Sequence, residues 1–184
     1  MKKLALPPDL EELRSLEPGR GVLLNGPALT MRDAALGRLA SLVDAGESPG
    51  FALAGELVFY AGPSPAAAGR PCGAIGPTTS ARMDPFLQLL FELGVRVTLG
   101  KGPRSPEAVA LHRKYGAVYL AAVGGIAALH GGKVYSIEPI AWEDLGPEAV
   151  SRIVFEQFPA TVAVDARGTD FLASRYGMYG SGQQ

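Results

Sequence analysis

Residues 95–120, VRVTLGKGPRSPEAVALHRKYGAVYL, hold a strand, a helix and a second strand in succession. The apolar run at 95–99 predicts a buried strand, and the glycines that follow end it. A serine followed by proline is typical of a helix start, so we expect a helix over 105–115. Residues 117–120 predict the next strand. Strands separated by helices in this way predict an α/β fold.

Apolar periodicity and turn residues predict further elements on both sides of this stretch. The expected helices cover 9–16, with Asp9 as N-cap; about 30–45, with Thr30 as N-cap and Gly46 as stop; the residues from Asp84 up to Gly94; and, as a turn or short helix, 124–129. The expected strands cover 21–25, ended by Gly26-Pro27; 57–61, followed by a loop at 62–69; 134–140; and a hairpin of 150–158 and 161–164. We therefore expect one α/β domain over 1–184 with a mixed sheet and flanking helices, a core at about 20–172 and a frayed tail at 177–184.

The composition is that of a compact globular protein, with 47% hydrophobic and 19% charged residues. Seventeen Lys and Arg against eighteen Asp and Glu give a formal net charge of −1. Binding along nucleic-acid phosphates needs a surplus of cations, so we expect no nucleic-acid partner. Recognition driven by charge must then be local and made by a few placed arginines or lysines.

The hydrophobic stretches of the chain are short. None approaches the ~20 apolar residues that span a bilayer, so we expect no membrane partner. The N-terminal lysines are followed by only Leu4, Ala5 and Leu6 before Pro7-Pro8, which is too short for a secretory signal. We expect a cytoplasmic protein.

The chain has one cysteine, Cys72, and two histidines, His112 and His130. One thiol cannot form an internal disulfide or hold a metal by itself. We expect no metal to be bound by this chain alone, and we interpret all three side chains as structural. Cys72 is expected to be buried or half-buried, His112 to lie on the surface, and His130 to end a helix or occupy a turn.

The densest polar cluster is Gly76-Pro77-Thr78-Thr79-Ser80-Ala81-Arg82-Met83-Asp84, just before a predicted helix. Its hydroxyls, backbone N–H groups and guanidinium can converge on one anion, and a carboxylate matches the guanidinium fork. An ordinary Thr/Ser N-cap with a surface arginine is the alternative. Arg32, at a helix start, and Lys101, between two glycines, also follow predicted strands. Three cations at strand ends favour a converging anion site.

The polar cluster at 76–84 is one of several distinctive segments spread over about residues 20–172. The others are Arg32-Asp33-Ala34-Ala35, Gly100-Lys101-Gly102, 114–120 with Gly124-Gly125, and 158–165 with Gly168. In their motifs, among them GPTT-x-x-RMD and RDAA, and in their order, these segments resemble the small (beta) subunit, or C-terminal domain, of class I iron–sulfur fumarate hydratases and the related L-tartrate dehydratases.

The resemblance implies a swivelling β/β/α domain and a division of labour between two chains. A large (alpha) subunit holds a 4Fe-4S cluster through three cysteines, and the small subunit brings carboxylate-binding and proton-handling groups to the open iron. On that pattern the substrate-binding residues are Arg32, Thr79, Arg82 and Lys101, and Thr78 is the catalytic base or proton relay. The implied assembly is a dimer of heterodimers that acts on a small dicarboxylate.

One residue and one short segment depart from the family's pattern. The RDAA run is commonly followed by histidine, and this chain has Leu36 there. The segment 103–106 also differs, and its Arg104 adds a cation near the expected site. Fumarate and L-malate are the first expected substrates, and L-tartrate or another hydroxy diacid the second. A third hypothesis is a stand-alone anion-binding or regulatory domain without catalysis.

Overall fold

The computed structural model describes residues 1–66 and 68–176, so the expected frayed tail at 177–184 lies outside the described residues. The strands are β1 Lys2–Ala5, β2 Gly21–Thr30, β3 Leu57–Phe59, β4 Ala61–Pro63, β5 Ile75–Pro77, β6 Val97–Gly100, β7 Val118–Ala121, β8 Val134–Ala141 and β9 Val150–Val164. The α-helices are α1 Leu10–Arg14, α2 Asp33–Asp44, α3 Leu87–Glu92, α4 Pro106–Tyr115, α5 Ala127–Gly131 and α6 Phe171–Tyr176. Two 3₁₀ helices cover Ser80–Phe86 and Glu143–Glu148.

The main sheet is mixed, as expected, and has the strand order β1-β2-β3-β6-β7-β9-β8. Neighbouring strands from β1 to β7 run parallel, whereas β9 is antiparallel to its neighbours β7, β8 and β2. Because β9 pairs with both β2 and β7, these pairings close into a ring through β3 and β6. Because the paired strands from β1 to β7 run parallel, their carboxyl ends lie at the same edge of the sheet, and ligands bind at this edge in α/β folds.

The predicted stop at Gly26-Pro27 and the predicted hairpin at 158–160 are both wrong, and one irregularity explains both. β2 and β9 run on as long antiparallel partners, with a register shift between Leu24 and Gly26. Opposite that shift, Gln157 has a φ of 52° and its backbone N–H donates to Asn25 Oδ1 at 3.0 Å. The glycine and proline signals therefore mark a β-bulge, which bends a strand without ending it.

Helix starts that depend on a local cap are confirmed at two places. Asp9 accepts from the Glu12 backbone N–H at 2.6 Å, and Ser105 Oγ accepts from the Ala108 backbone N–H at 3.1 Å. Thr30, in contrast, is not an N-cap. It is the last residue of β2, and its buried hydroxyl accepts from the Ser151 backbone N–H at 3.2 Å. The Thr30 hydroxyl, which the sequence pattern assigned to the start of α2, thus binds the backbone of β9 instead.

His112 was expected on the surface, and this prediction is wrong. Its side chain is fully buried on the inner face of α4, with its ring 5.1 Å from that of Phe91, centroid to centroid. Burial, reinforced by the nearby Arg104 charge, lowers the pKa of His112 to about 3. The neutral ring donates from Nδ1 to the Ala108 carbonyl oxygen at 2.8 Å. A helix turns one residue in three or four inward, and here that residue is the histidine.

The other structural expectations for single residues are confirmed. Cys72 is buried, and burial raises the pKa of its thiol. His130 lies buried in the last turn of α5, against Phe158. Leu36 is fully buried in an apolar cluster with Leu29 and Leu39, so this position contributes packing. No helix within the described residues has the length and apolar character needed to cross a membrane.

Candidate active site

Backbone hydrogen bonds bring the Thr78–Thr79 pair beside Lys101 at the carboxyl edge of the sheet. The Thr78 N–H donates to the Tyr60 carbonyl at 2.6 Å, and the Thr78 carbonyl accepts from the Lys101 N–H at 3.1 Å. The Ser80 N–H then donates to the Lys101 carbonyl at 2.9 Å, and Thr79 and Lys101 form a parallel β-bridge. The residues that follow β5 and β6, which the sequence separates by about twenty positions, are thus held side by side by backbone hydrogen bonds.

This close approach depends on the absence of a side chain at Gly100. A Cβ there would overlap Ser80 Oγ and lie 3.0 Å from the Tyr60 ring and 3.2 Å from the Thr78 carbonyl oxygen. The contact with Ser80 Oγ is shorter than real Cβ atoms tolerate, the other two are tight, and Ser80 and Tyr60 are themselves fully buried. Gly100 therefore permits the Thr78–Lys101 contact.

We expect Gly100→Ala to lower the free energy of unfolding by about 1–3 kcal/mol, the usual cost of overpacking a dense interior. Urea denaturation followed by circular dichroism measures the change. Gly37→Ala is the matched control, because nothing lies within 4 Å of a Cβ at this position of α2. Alanine also favours a helix over glycine, so the control should be at least as stable as the unchanged chain. Equal stability of the two variants would contradict this account of Gly100.

The first turn of α2 brings two arginines together through one carboxylate. Arg32 precedes the helix, and Asp33 is its first residue. Asp33 Oδ1 lies 2.5 Å from Arg82 Nη2, and Asp33 Oδ2 lies 3.3 Å from Arg32 Nε. The Arg82 side chain is still 54% exposed, so part of its guanidinium faces outward. Since a guanidinium has five N–H donors, the Asp33 contact leaves Arg82 able to bind a further anion.

Glu148 is a second carboxylate at this site, and sequence reasoning missed it. It ends the 3₁₀ helix between β8 and β9. Its Oε2 accepts from the Ala34 backbone N–H at 2.7 Å, while its Oε1 lies 3.5 Å from Arg32 Nε. Glu148 therefore caps the start of α2 and orients Arg32 at the same time. No local signal could have shown this, because the contact joins residues more than one hundred positions apart.

Lys101 lies against the turn that contains Gly124. A Cβ on Gly124 would lie 3.4 Å from Lys101 Cδ and 3.9 Å from its Nζ, which are ordinary van der Waals distances, so the lysine side chain packs against this turn. The neighbouring Val123 and Leu129 have 66% and 69% of their surface exposed.

Arg104 lies beneath the site, not on its surface. Its side chain is fully buried, and its Nε lies 2.7 Å from Asp84 Oδ1. The guanidinium carbon lies 5.5 Å from the centre of the Tyr60 ring and 5.1 Å from that of Tyr119. Burial raises the pKa of both tyrosines, so their hydroxyls stay protonated. Arg104, which the sequence predicts as an additional cation near the site, is thus part of the buried packing behind the site.

The candidate site is an open face of the molecule. Thr79 is exposed and Thr78 half-buried, and the five predicted residues do not line the cleft of about 430 Å³ that begins at the end of β4. That cleft is lined by Pro63, Cys72, Ile137 and Pro147, among others. A small anion on the open face would remain in contact with solvent unless another surface covers it.

The described residues show no group of three or more His, Cys, Asp and Glu side chains placed to hold a metal ion. The lone cysteine is buried beside the cleft, and the 4Fe-4S cluster that the resemblance implies does not fit the residues of this chain.

The fold and the site together define an α/β domain that presents cations and hydroxyls at the carboxyl edge of its parallel strands. The family model described as "Fumarase C-terminus" matches residues 2–175. The chain belongs to this family.

Its relatives fall into two groups. The chain is 39% identical over 169 residues to "Fumarate hydratase 1, mitochondrial" of Leishmania major, which covers 91% of this chain and 31% of that protein. It is 39% identical over 151 residues to "Fumarate hydratase class I, anaerobic" of Escherichia coli K12, covering 81% of this chain and 28% of that protein. It is 32% identical to "L(+)-tartrate dehydratase subunit beta" of the same organism, covering 94% of this chain and 88% of that protein. The chain thus spans less than a third of the two fumarate hydratases.

Proposed function

We propose that this chain is the beta subunit of a heteromeric iron–sulfur hydro-lyase that interconverts fumarate and L-malate. The observation that supports this most directly is the meeting of Arg32, Arg82 and Lys101 with two threonines at one edge of the sheet. A small diacid matches such a site, because each carboxylate can take a guanidinium or an ammonium together with a hydroxyl. Relatives named as fumarate hydratases and as a tartrate dehydratase subunit support the same class of reaction.

Substrate binding falls to Arg32, Thr79, Arg82 and Lys101. Arg82 presents its exposed edge to one carboxylate while Asp33 holds the other edge. Arg32 is held by Asp33 and Glu148 in the same way. Because both guanidinium groups are oriented before substrate arrives, less conformational entropy is lost on binding.

Thr78 handles the proton in this proposal. In the dehydration of L-malate, a proton leaves the carbon next to a carboxylate, its electron pair forms the double bond, and hydroxide leaves the neighbouring carbon. Negative charge that builds on the carboxylate is stabilised by the fixed cations. The Thr78 backbone is held between Tyr60 and Lys101, which fixes the direction of the side chain. A threonine hydroxyl acts as a base only when a neighbour activates it, and here the neighbour would come from the covering chain.

A partner chain is part of the proposal for two reasons. The site is open, and the chain spans only 31% and 28% of two fumarate hydratases but 88% of a protein named as a subunit. We propose that a cytoplasmic alpha subunit covers the site and holds the 4Fe-4S cluster, in a dimer of heterodimers. A cluster bound there would supply Lewis acidity toward the substrate hydroxyl.

Anaerobic reconstitution tests the proposal. The chain is purified without oxygen and assayed for fumarate formation from L-malate, alone and mixed with the three-cysteine large subunit from the same source. We expect activity only in the mixture. A mixture that is inactive with L-malate while its cluster is intact would contradict the fumarate assignment.

Two alternatives remain distinguishable in the same experiment. The similarity to a tartrate dehydratase beta subunit over 94% of the chain favours L-tartrate as the alternative substrate. A mixture that is active with L-tartrate but not with L-malate would select this alternative. The third hypothesis, a non-catalytic anion-binding domain, predicts that the isolated chain binds dicarboxylates in calorimetry and that no mixture is active.

A further inference from the structure

The buried cluster around Arg104 is not explained by contact with a substrate. Burying a charged pair costs solvation, and replacing such a pair by apolar residues often leaves stability unchanged. Arg104 is nevertheless fully buried, paired with Asp84 and enclosed by the rings of Tyr60 and Tyr119. Stability alone is therefore a weak reason for this arrangement.

The Asp84–Arg104 pair joins the two segments that contain the proposed substrate-binding cations. Asp84 lies in the same 3₁₀ helix as Arg82, and Arg104 lies in the loop that begins with Lys101. The second oxygen of Asp84 accepts from the Ser105 backbone N–H at 2.9 Å. One carboxylate thus fixes both a side chain and the backbone of the opposite segment.

Neither segment is held firmly by its own hydrogen bonds. A 3₁₀ helix has poorer hydrogen-bond geometry than an α-helix, and the loop between β6 and α4 has no regular structure over most of its length. Two cross-links bracket Arg82 instead. The Ser80 N–H bond to the Lys101 carbonyl lies on one side, and the Asp84–Arg104 pair on the other.

We propose that Arg104 is a positioning residue: through Asp84 it holds the helix that contains Arg82 against the loop that contains Lys101. The distance between the two cations is thereby fixed for a substrate with two carboxylates. The substrate class rests on the function proposed above. Fixed geometry of this kind lowers the entropy lost on binding.

The test replaces both members of the pair, because Arg104→Met alone would leave Asp84 as an unpaired buried charge. In the complex with the alpha subunit, we expect Asp84→Asn/Arg104→Met to raise KM at least fivefold, with kcat reduced no more than twofold. The inhibition constant of succinate, a diacid that cannot be dehydrated, should rise in parallel. In an Arg82→Ala background the same double replacement should change KM by less than twofold, because Arg104 acts through Arg82.

A stability-matched control and a second readout keep the outcome clear. Val162→Ala shortens a fully buried core side chain in β9 and should leave KM unchanged at a comparable urea midpoint. Relative to that control, amide exchange at Ser80 and Arg82 should be at least tenfold faster in the double variant. An inactive wild-type complex would overturn the proposed function, while amide exchange would still test the positioning. If the wild-type complex is active, the positioning role is overturned by either of two results. One is a double variant with the same KM as Val162→Ala, and the other is a double variant with the same rate of amide exchange at Ser80 and Arg82 as Val162→Ala.

Discussion

Arg82→Ala, assayed in the assembled complex at equal cluster content, is expected to lower kcat/KM by about a hundredfold, within the range seen when one preorganised donor to developing charge is removed. Two physical effects add. The guanidinium that faces the open site is lost, and Asp33, which Arg82 partly neutralises, is left with a free oxygen that repels a dicarboxylate.

The two effects can be separated by a second variant. Asp33→Asn/Arg82→Ala removes the repulsive charge, and its loss of kcat/KM relative to Asp33→Asn alone measures the guanidinium itself, because both of these variants weaken the Asp33 contact with Arg32 equally. Arg38→Ala is the matched control, because Arg38 is another partly exposed arginine paired with an aspartate, lies on α2 with Asp33, and is not one of the proposed site residues. It should retain activity within about twofold, since exposed ion pairs contribute little. Unchanged turnover of Arg82→Ala with full cluster occupancy would remove Arg82 from the site.

Features governed by residues close in sequence could be predicted well. The caps at Asp9 and Ser105 use side chains and N–H groups three positions apart, so the pattern itself contains both partners. Gly26-Pro27 was misread for the opposite reason. Its meaning depends on Gln157 across the sheet, and a turn signal cannot distinguish a strand end from a bulge without that partner.

The candidate site likewise has features that the sequence could predict and features that depend on contacts between distant segments. The positions of Arg32, Arg82 and Lys101 after strands were visible in the sequence, and the fold places all three at the expected edge. The acidic partners were not visible. Asp33 stands beside Arg32 in the sequence, but its contact with Arg82, like the contact of Glu148 with Arg32, joins distant segments. Arg104 was noticed only as an additional charge, because sequence does not show that the Tyr60 and Tyr119 rings enclose it.

Thr78→Val is expected to reduce kcat by about 10²–10⁴-fold, the usual contribution of a positioned proton-transfer group. KM should change by less than about threefold, because Thr78 is not one of the groups proposed to bind the carboxylates, so its loss is felt in the transition state. Valine keeps the branched shape of threonine, and the hydrogen bonds that hold this position use only backbone atoms of Thr78. The variant should therefore fold normally and assemble with the alpha subunit.

The matched control is Thr78→Ser, which keeps the hydroxyl and should keep kcat within about tenfold. Thr79→Val provides the contrast, because the Thr79 hydroxyl is proposed to bind a carboxylate and its loss should appear mainly in KM. A Thr78→Val complex that turns over at the wild-type rate would show that the proton leaves through another group. In that case the half-buried hydroxyl of Thr78 would be a binding group like its neighbour, and the base would have to come from the covering chain.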